Sequence, residues 1–182
     1  TMACFRTILI SIVISSAWLA DQGVAWAQAG EGTLNCRILE NGGQASGTVT
    51  VRDGARQVAS GDCRSPLRVP VGAYEVTLRL DGALDRPEQS RRVQITAGTS
   101  AEYEADFPTG TLVVQILADG RPGAGMVTIS QAGRRIGTVG GGVSARLSAG
   151  SYDLTVKYRG QEQRLTGIRV SRGGQQTTTA SF

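Results

Sequence analysis

The sequence contains no histidine and only three cysteines among its 182 residues. The absence of histidine excludes Ser–His–Asp triads, zinc sites that combine His with Cys, and haem held by a proximal His. No group of carboxylates is spaced in a way that singles out a hydrolytic pair. We therefore expect no catalytic residue, no metal site and no cofactor, and hence a protein that is not an enzyme.

Aromatic residues are also scarce, at 5% of the chain, whereas glycine is abundant, with 25 residues. Charged residues make up 19% and hydrophobic residues 40%, which excludes a disordered chain and a membrane protein with many spans. This composition is typical of short strands joined by tight turns. It predicts a folded protein rich in β-structure.

Long apolar runs are limited to one, from Thr7 to Ala20, and Arg6 is the only charge before it. The sequence A-x-A follows at Ala27 and Ala29. A basic start, a short apolar run and an A-x-A ending predict a secretory signal peptide cleaved after Ala29. The rest of the chain is then exported to the periplasm or the cell exterior.

A retained membrane anchor is the alternative interpretation of the same segment. The 14 residues of the apolar run would cover about 21 Å as a helix, short of the roughly 30 Å of a hydrocarbon core. Arg6 could snorkel at one end, and Trp18 and Trp26 favour the membrane interface. Residues 7–27 would then contact the inner membrane and tether a periplasmic protein to it.

Two cysteines, Cys36 and Cys63, remain after Cys4 is assigned to the leader. They are 27 residues apart, and an oxidising compartment favours a disulfide between them. A pair of buried free thiols is the alternative. A redox-active pair is disfavoured because it needs closer spacing, such as C-x-x-C.

The charge differs between the two parts of the exported chain. Residues 30–107 carry 9 Arg against 11 Asp and Glu (net −2), and residues 108–182 carry 9 Arg and Lys against 3 Asp and Glu (net +6). This asymmetry favours a protein partner or an anionic envelope surface for the second part. A solvated basic face without a partner is the alternative. The candidate docking face consists of Arg134, Arg135, Arg164, Arg169 and Arg172.

Other ligand classes are disfavoured. Nucleic-acid binding calls for basic residues interleaved with exposed aromatic residues, and the few aromatic residues here lie at inward strand positions. A carbohydrate-binding module needs exposed Trp or Tyr, and both tryptophans lie before residue 30. No motif indicates a small-molecule substrate.

An internal repeat relates the two parts of the exported chain. Gly32-Thr33-Leu34 matches Gly110-Thr111-Leu112 at an offset of 78 residues, and identities continue to Thr77 and Thr155. The second copy then lacks three residues, so that Phe107 matches Phe182 at an offset of 75. A duplication of this period predicts two domains, 30–107 and 108–182, after a leader of residues 1–29.

Apolar and polar residues alternate within each copy, as at Leu34, Cys36 and Ile38, and turn signals such as Asn41-Gly42 separate the runs. About seven strands fit each copy. The predicted fold class is all-β: two tandem small antiparallel β-sandwiches of Ig-like or transthyretin-like type, preceded by one N-terminal hydrophobic helix. The short linker Pro108-Thr109 predicts a semi-rigid rod.

Three acidic residues alternate along the last strand predicted for the first copy. Their spacing of two places them on one solvent face, where they serve as solubilising charges rather than as a metal site. Exposed edge strands also leave strand addition open as a binding mode. The acidic residues are Glu102, Glu104 and Asp106.

The repeat resembles the carboxypeptidase-regulatory-like and PEGA-type modules of bacterial envelope proteins. The resemblance rests on G-T-L-x-x-x-I-L-x-x-G at the start, P-V-G-A-Y-E-V-T-L at Pro70–Leu78 and V-x-I-x-A-G-x-(S/T) near the end. The second copy matches less fully, since Ser148-Ala149-Gly150-Ser151-Tyr152 lacks the proline. The resemblance implies transthyretin-like, prealbumin-like sandwiches that act as spacers, stabilisers or binding platforms, and it transfers no functional residue.

These observations predict an exported, non-catalytic structural module that docks by shape and charge through its basic second domain. One alternative is a membrane-anchored accessory subunit of an inner-membrane complex, with both sandwiches in the periplasm. A carbohydrate-binding module is a further alternative.

Overall fold

A computed structural model describes residues 30–182, and every helix or strand that it assigns in this range is a β-strand. The predicted N-terminal helix, the cleavage site at Ala27 and Ala29, and the anchor residues Arg6, Trp18 and Trp26 lie outside the described residues. The strands are β1 (Glu31–Glu40), β2 (Gly43–Gln44), β3 (Gly47–Asp53), β4 (Arg56–Asp62), β5 (Leu67–Pro70), β6 (Gly72–Leu80), β7 (Glu88–Ile95), β8 (Ser100–Phe107), β9 (Thr109–Ala118), β10 (Arg121–Pro122), β11 (Met126–Gln131), β12 (Arg134–Gly140), β13 (Ser144–Ser148), β14 (Gly150–Tyr158), β15 (Gln161–Val170) and β16 (Gln175–Ser181).

The strands form two sheets in the first half, residues 30–107, and two in the second half, residues 108–182. In the first half β1 pairs with β5, β2 and β8, while the other sheet has the order β4-β3-β6-β7. The second half repeats this arrangement, with β9 paired to β13, β10 and β16 and a sheet of order β12-β11-β14-β15. The predicted all-β class with β-sandwich architecture is confirmed, although each half has eight strands rather than about seven, because each includes one strand of only two residues, β2 or β10.

Each half encloses a buried apolar cluster because the alternating residues of its strands point inward. The largest buried side chains of the first cluster come from both sheets, and the second cluster uses the matching positions of the repeat. The fully buried examples are Leu34, Ile38, Val49, Leu78 and Ile95 in the first half and Leu112, Ile129, Leu147, Tyr152 and Leu154 in the second.

The first and last strands of each half run parallel to each other, whereas all other pairings are antiparallel. Strand β8 reaches β1 by crossing from the opposite sheet and not through a hairpin, so it is free to run in the same direction. The chain therefore enters each half at one end and leaves it at the other. Phe107 at the end of β8 lies opposite Glu40, and only Pro108 separates β8 from β9.

The predicted disulfide is confirmed: Cys36 on β1 is bonded to Cys63 in the loop after β4, and their Cα atoms are 5.1 Å apart. The second half keeps the same loop without the bond. The amide of Cys63 donates to the carbonyl of Gly47 (3.2 Å), and that of Gly141 to the carbonyl of Gly125 (3.0 Å), at matching positions of the repeat. The disulfide is thus an addition to a loop whose backbone geometry does not require it.

Replacing both cysteines by serine should lower the free energy of unfolding of the first half by about 3 kcal/mol, because the disulfide closes a loop of 27 residues in the unfolded chain. Amide hydrogen exchange measures the loss. The amides of β3 and β6 should exchange faster, while those of β11 and β14 keep their protection. Unchanged exchange in β3 and β6 would contradict the prediction.

Candidate interaction surfaces

The two halves meet end to end at the buried residue Thr109, which is 2% exposed. Its amide donates to Asn41 Oδ1 (3.0 Å), and its hydroxyl donates to Glu40 Oε1 (2.5 Å). Asn41 Nδ2 in turn donates to the same hydroxyl oxygen (3.3 Å). The first residue of β9 is therefore held by the last residue of β1 and its neighbour, so the linker has little freedom.

An ion pair joins Arg146 of β13 to Glu40 across this junction. Arg146 Nη1 donates to Glu40 Oε2 (3.1 Å), and Nη2 donates to the carbonyl oxygen of Asp81. The Glu40 side chain is only 18% exposed. Because Glu40 is largely withdrawn from water, loss of Arg146 would leave a poorly compensated carboxylate.

The loop between β6 and β7, residues 81–87, reaches from the first half onto the second. The Leu84 amide donates to the backbone carbonyl of Arg146 (2.8 Å), and its side chain packs against the core of the second half. A Cβ atom at Gly137 would lie 2.9 Å from Leu84 Cδ1, so a larger residue there would push the Leu84 side chain out of its present position. Leu84, a residue of the first half, thus packs against the core of the second half.

Asp85 of the same loop contacts the start of β14. Its Oδ2 accepts a hydrogen bond from the Ser148 amide (3.1 Å) and lies 3.5 Å from the Tyr152 hydroxyl, which donates to the Ser148 carbonyl (2.8 Å). Burial raises the pKa of the Tyr152 phenol, and the nearby Asp85 carboxylate raises it further.

A second ion pair crosses the junction on another side, where Arg172 Nη2 donates to Asp106 Oδ2 (2.5 Å). The other oxygen of Asp106 accepts the Gly42 amide (3.0 Å). Acidic residues on the face of the first half that meets the second half thus contact basic residues on the facing end of the second half. Part of the charge asymmetry predicted to serve an external partner is used inside the chain.

The second copy lacks counterparts of the junction residues that the first half contributes. Glu40 corresponds to Ala118 and Asp81 to Arg159, and the turn that replaces the 81–87 loop consists of Arg159 and Gly160 alone. The turn is five residues shorter than the loop; β15 begins two residues earlier than β7 does in the repeat, and the other three are the residues missing from the second copy. This local length difference is the signal by which the sequence could have revealed the junction.

The predicted basic face is distributed over the second half. Arg134 and Arg135 on β12 line a cleft of about 420 Å³ together with Leu84, Asp85, Arg86 and Ile136. Arg86, which the sequence did not single out, thus joins the doublet from the other half. All three arginines are exposed, and none forms an ion pair within residues 30–182.

The remaining arginines of the predicted face lie elsewhere. Arg164 and Arg169 are on β15, at the opposite edge of the β12-β11-β14-β15 sheet. Arg164 pairs with Glu162 (3.3 Å), Arg169 is exposed, and Arg172 belongs to the junction. The structure brings Arg134 and Arg135 together and separates them from the other three, and the docking role of all five stays a prediction.

Within residues 30–182, no three His, Cys, Asp or Glu residues are grouped so that they could hold a metal ion. The same part of the chain has no helix that is long and apolar enough to span a bilayer.

No family model and no curated protein matches the chain. Three solved structures each match 84% of it: the TIE protein of Bacillus anthracis (13% identity, TM-score 0.37), the minor pilin GBS52 of Streptococcus agalactiae (11%, 0.44) and the shaft pilin SpaA of Lactobacillus rhamnosus GG (6%, 0.33). The match covers 34%, 94% and 99% of these chains, so this chain spans about a third of the first of them. TM-scores below 0.5 transfer no function, and the resemblance to carboxypeptidase-regulatory-like and PEGA-type modules stays a prediction.

Replacing Arg146 by alanine should loosen the junction while leaving both cores intact. We expect the free energy of the contact between the halves to weaken by about 1 to 2 kcal/mol, because the Glu40 carboxylate stays largely buried without its partner. The amide of Leu84, which donates across the junction, should therefore exchange about tenfold faster.

Arg68 provides a matched control for this substitution. It is the counterpart of Arg146 in the repeat, and its Nη1 lies 3.9 Å from Glu31 Oε2 in an exposed pair. Arg68→Ala should leave the exchange of Leu84 unchanged. Equal effects of the two substitutions would contradict a specific role for Arg146.

The raised pKa of Tyr152 predicts a loss of stability at alkaline pH. The folded protein holds the phenol proton more tightly than the unfolded chain, so the free energy of unfolding should fall as the pH rises above about 10. Urea unfolding at several pH values measures this slope.

Tyr152→Phe should make the slope shallower without abolishing it, since burial also raises the pKa of Tyr103. Asp85→Asn should reduce the slope less than Tyr152→Phe does, because the Asp85 charge is the second cause of the shift. A Tyr152→Phe protein with the parent slope would refute the assignment.

Proposed function

We propose that the chain is an exported, non-catalytic structural and interaction module of two domains, 30–107 and 108–182, coupled end to end. In this proposal it docks on an acidic protein or an anionic envelope surface through basic residues of its second domain, joined by Arg86 of the first. The observation that carries the proposal is the exposed cluster of Arg86, Arg134 and Arg135 in the cleft beside the junction.

The charge state of this cluster supports docking. Arg146 and Arg172 have carboxylate partners inside the chain, so their charges are largely compensated. The three arginines of the cleft have none within the described residues, and their three positive charges face the single negative charge of Asp85, whose carboxylate accepts the Ser148 amide. Three guanidinium groups on one rim produce a local positive potential that attracts anionic groups, and this attraction weakens with salt.

The junction supports a docking role in a second way. Arg86 belongs to the first half, whereas Arg134 and Arg135 belong to the second. The contacts of Glu40, Thr109 and Leu84 hold the halves together, so the backbone segments that carry the three arginines keep a fixed spacing before any partner binds. A preorganised cluster loses less conformational entropy on binding than a flexible one.

A non-catalytic role agrees with the chemistry of the residues. The chain has no histidine, and both cysteines of the described part form the disulfide, so neither imidazole nor thiolate chemistry is at hand. The cleft itself offers guanidinium groups and one bonded carboxylate. This set can hold an anion but lacks a nucleophile with an adjacent base.

Binding to defined anionic probes tests the proposal. The purified chain would be sedimented with vesicles that contain phosphatidylglycerol, and titrated in parallel with soluble polyglutamate, at several salt concentrations. Arg134→Ser/Arg135→Ser should weaken binding by about thirtyfold, because each basic residue near an anionic surface contributes about 1 kcal/mol. Tighter binding to the vesicles would indicate a lipid surface, and tighter binding to polyglutamate would indicate an acidic protein surface.

Arg91→Ser/Arg92→Ser is the matched control, since it removes an equal charge from a doublet on β7 of the first half. It should leave binding nearly unchanged. Equal weakening by both doublets would mean that net charge alone is responsible, and no binding to either probe at low salt would refute docking on an anionic surface.

A further inference from the structure

The last strands of the two halves, β8 and β16, are edge strands. Each pairs in parallel with the first strand of its half, β1 or β9, and has no second strand partner within residues 30–182. An unprotected edge exposes a row of backbone N–H and C=O groups that can pair with another strand. The two edges derive from the same position of the repeat, so they can be compared residue by residue.

The hydrogen-bond pattern identifies which residues of β16 face its free side. Phe182 donates its amide to the carbonyl of Leu117, and the carbonyl of Gly174 accepts the amide of Thr111. Because the two sides of a strand alternate, the even-numbered residues bond to β9 and the odd-numbered residues direct their N–H and C=O groups outward. The outward residues are Gln175, Thr177, Thr179 and Ser181.

The free side of β8 carries charged side chains, whereas that of β16 does not. The repeat matches Glu102 to Thr177, Glu104 to Thr179 and Asp106 to Ser181, so each carboxylate on the first edge is an uncharged hydroxyl on the second. Charged side chains on an edge discourage pairing with another chain. The acidic residues predicted to be solubilising thus occupy the edge positions at which the second half lacks charge.

The face next to the β16 edge is also free of charge along β9. The charged Arg37 on β1 is replaced by the neutral Gln115 on β9, and Asn35 is replaced by Val113. The outward residues of β16 are all exposed. The free arginines Arg134 and Arg135 lie on the opposite sheet of the sandwich. A chain that pairs with β16 therefore meets a neutral, hydroxyl-rich edge.

We propose that β16 pairs with the β16 strand of a second copy of this chain, antiparallel about a two-fold axis. Such an interface brings the same residues of both copies together, so it tolerates neutral residues and penalises charged ones. Among the described edge strands of four or more residues, β16 alone carries no Arg, Lys, Asp or Glu. Threonine pairs across the interface add side-chain hydrogen bonds to the backbone ladder.

This interface is distinct from the arginine cluster of the proposed function, and each can fail without the other. The test is sedimentation velocity of the protein produced from the full sequence, over a wide range of concentration. The parent protein should form a concentration-dependent dimer. Thr177→Glu/Thr179→Glu places on β16 the charges that β8 carries at the matching positions, and it should raise the dimer dissociation constant by about tenfold or more.

Two controls separate the edge from other causes. Ser151→Glu/Gln161→Glu adds the same charge at exposed positions of the other sheet and should leave the dimer unchanged. Thr179→Pro removes an amide that faces the free side and should abolish the dimer while β16 stays paired with β9. Hydrogen exchange of the Phe182 amide reports whether the β16–β9 ladder survives.

A monomeric parent protein at all concentrations would overturn the proposal. So would a dimer that persists in both the Thr177→Glu/Thr179→Glu and the Thr179→Pro proteins with the ladder intact. If the parent protein stayed monomeric and its β16 strand paired instead with a strand of another protein, self-pairing through β16 would likewise be excluded.

Discussion

The parallel pairing of the first and last strands in each half is the constraint on which the rest of the structure depends. Because β8 runs beside β1 in the same direction, the chain leaves the first half at the end opposite to its entry. The second half can then begin at Thr109, one residue beyond β8, without the chain turning back. The same pairing leaves β8 and β16 at the margins of their sheets, where one side of each strand lacks a partner.

The junction explains why two copies of one repeat differ where they do. Arg146 and Glu40 form a shielded ion pair, whereas the counterpart Arg68 has only an exposed contact. The 81–87 loop carries Leu84 into the neighbouring core, and the corresponding turn of the second half is shorter. Burial makes these differences matter, because a charge shielded from water needs its partner and an exposed charge does not.

The edge strands β8 and β16 also differ between the two copies in where charge is placed. The free side of β8 carries three carboxylates, of which Glu104 and Asp106 are paired with arginines, whereas the free side of β16 carries only uncharged side chains. The arginines are likewise divided, since those at the junction are compensated while Arg86, Arg134 and Arg135 remain available. Charge has thus been placed differently on two halves that keep one hydrophobic pattern.

The sequence by itself determined the β-class, the inward residues and the repeat, and it pointed to the disulfide while leaving free thiols open, because alternation along a strand and the spacing of Cys36 and Cys63 are local or pairwise features. Tertiary structure decided what depends on contacts between distant residues. The parallel β1–β8 pairing, the insertion of Leu84 and the approach of Arg86 to Arg134 join segments far apart in sequence. The length difference at the 81–87 loop marks in the sequence where the two copies diverge, but it does not say which residues the loop contacts, since such contacts arise only when two folded surfaces meet and exclude water between them.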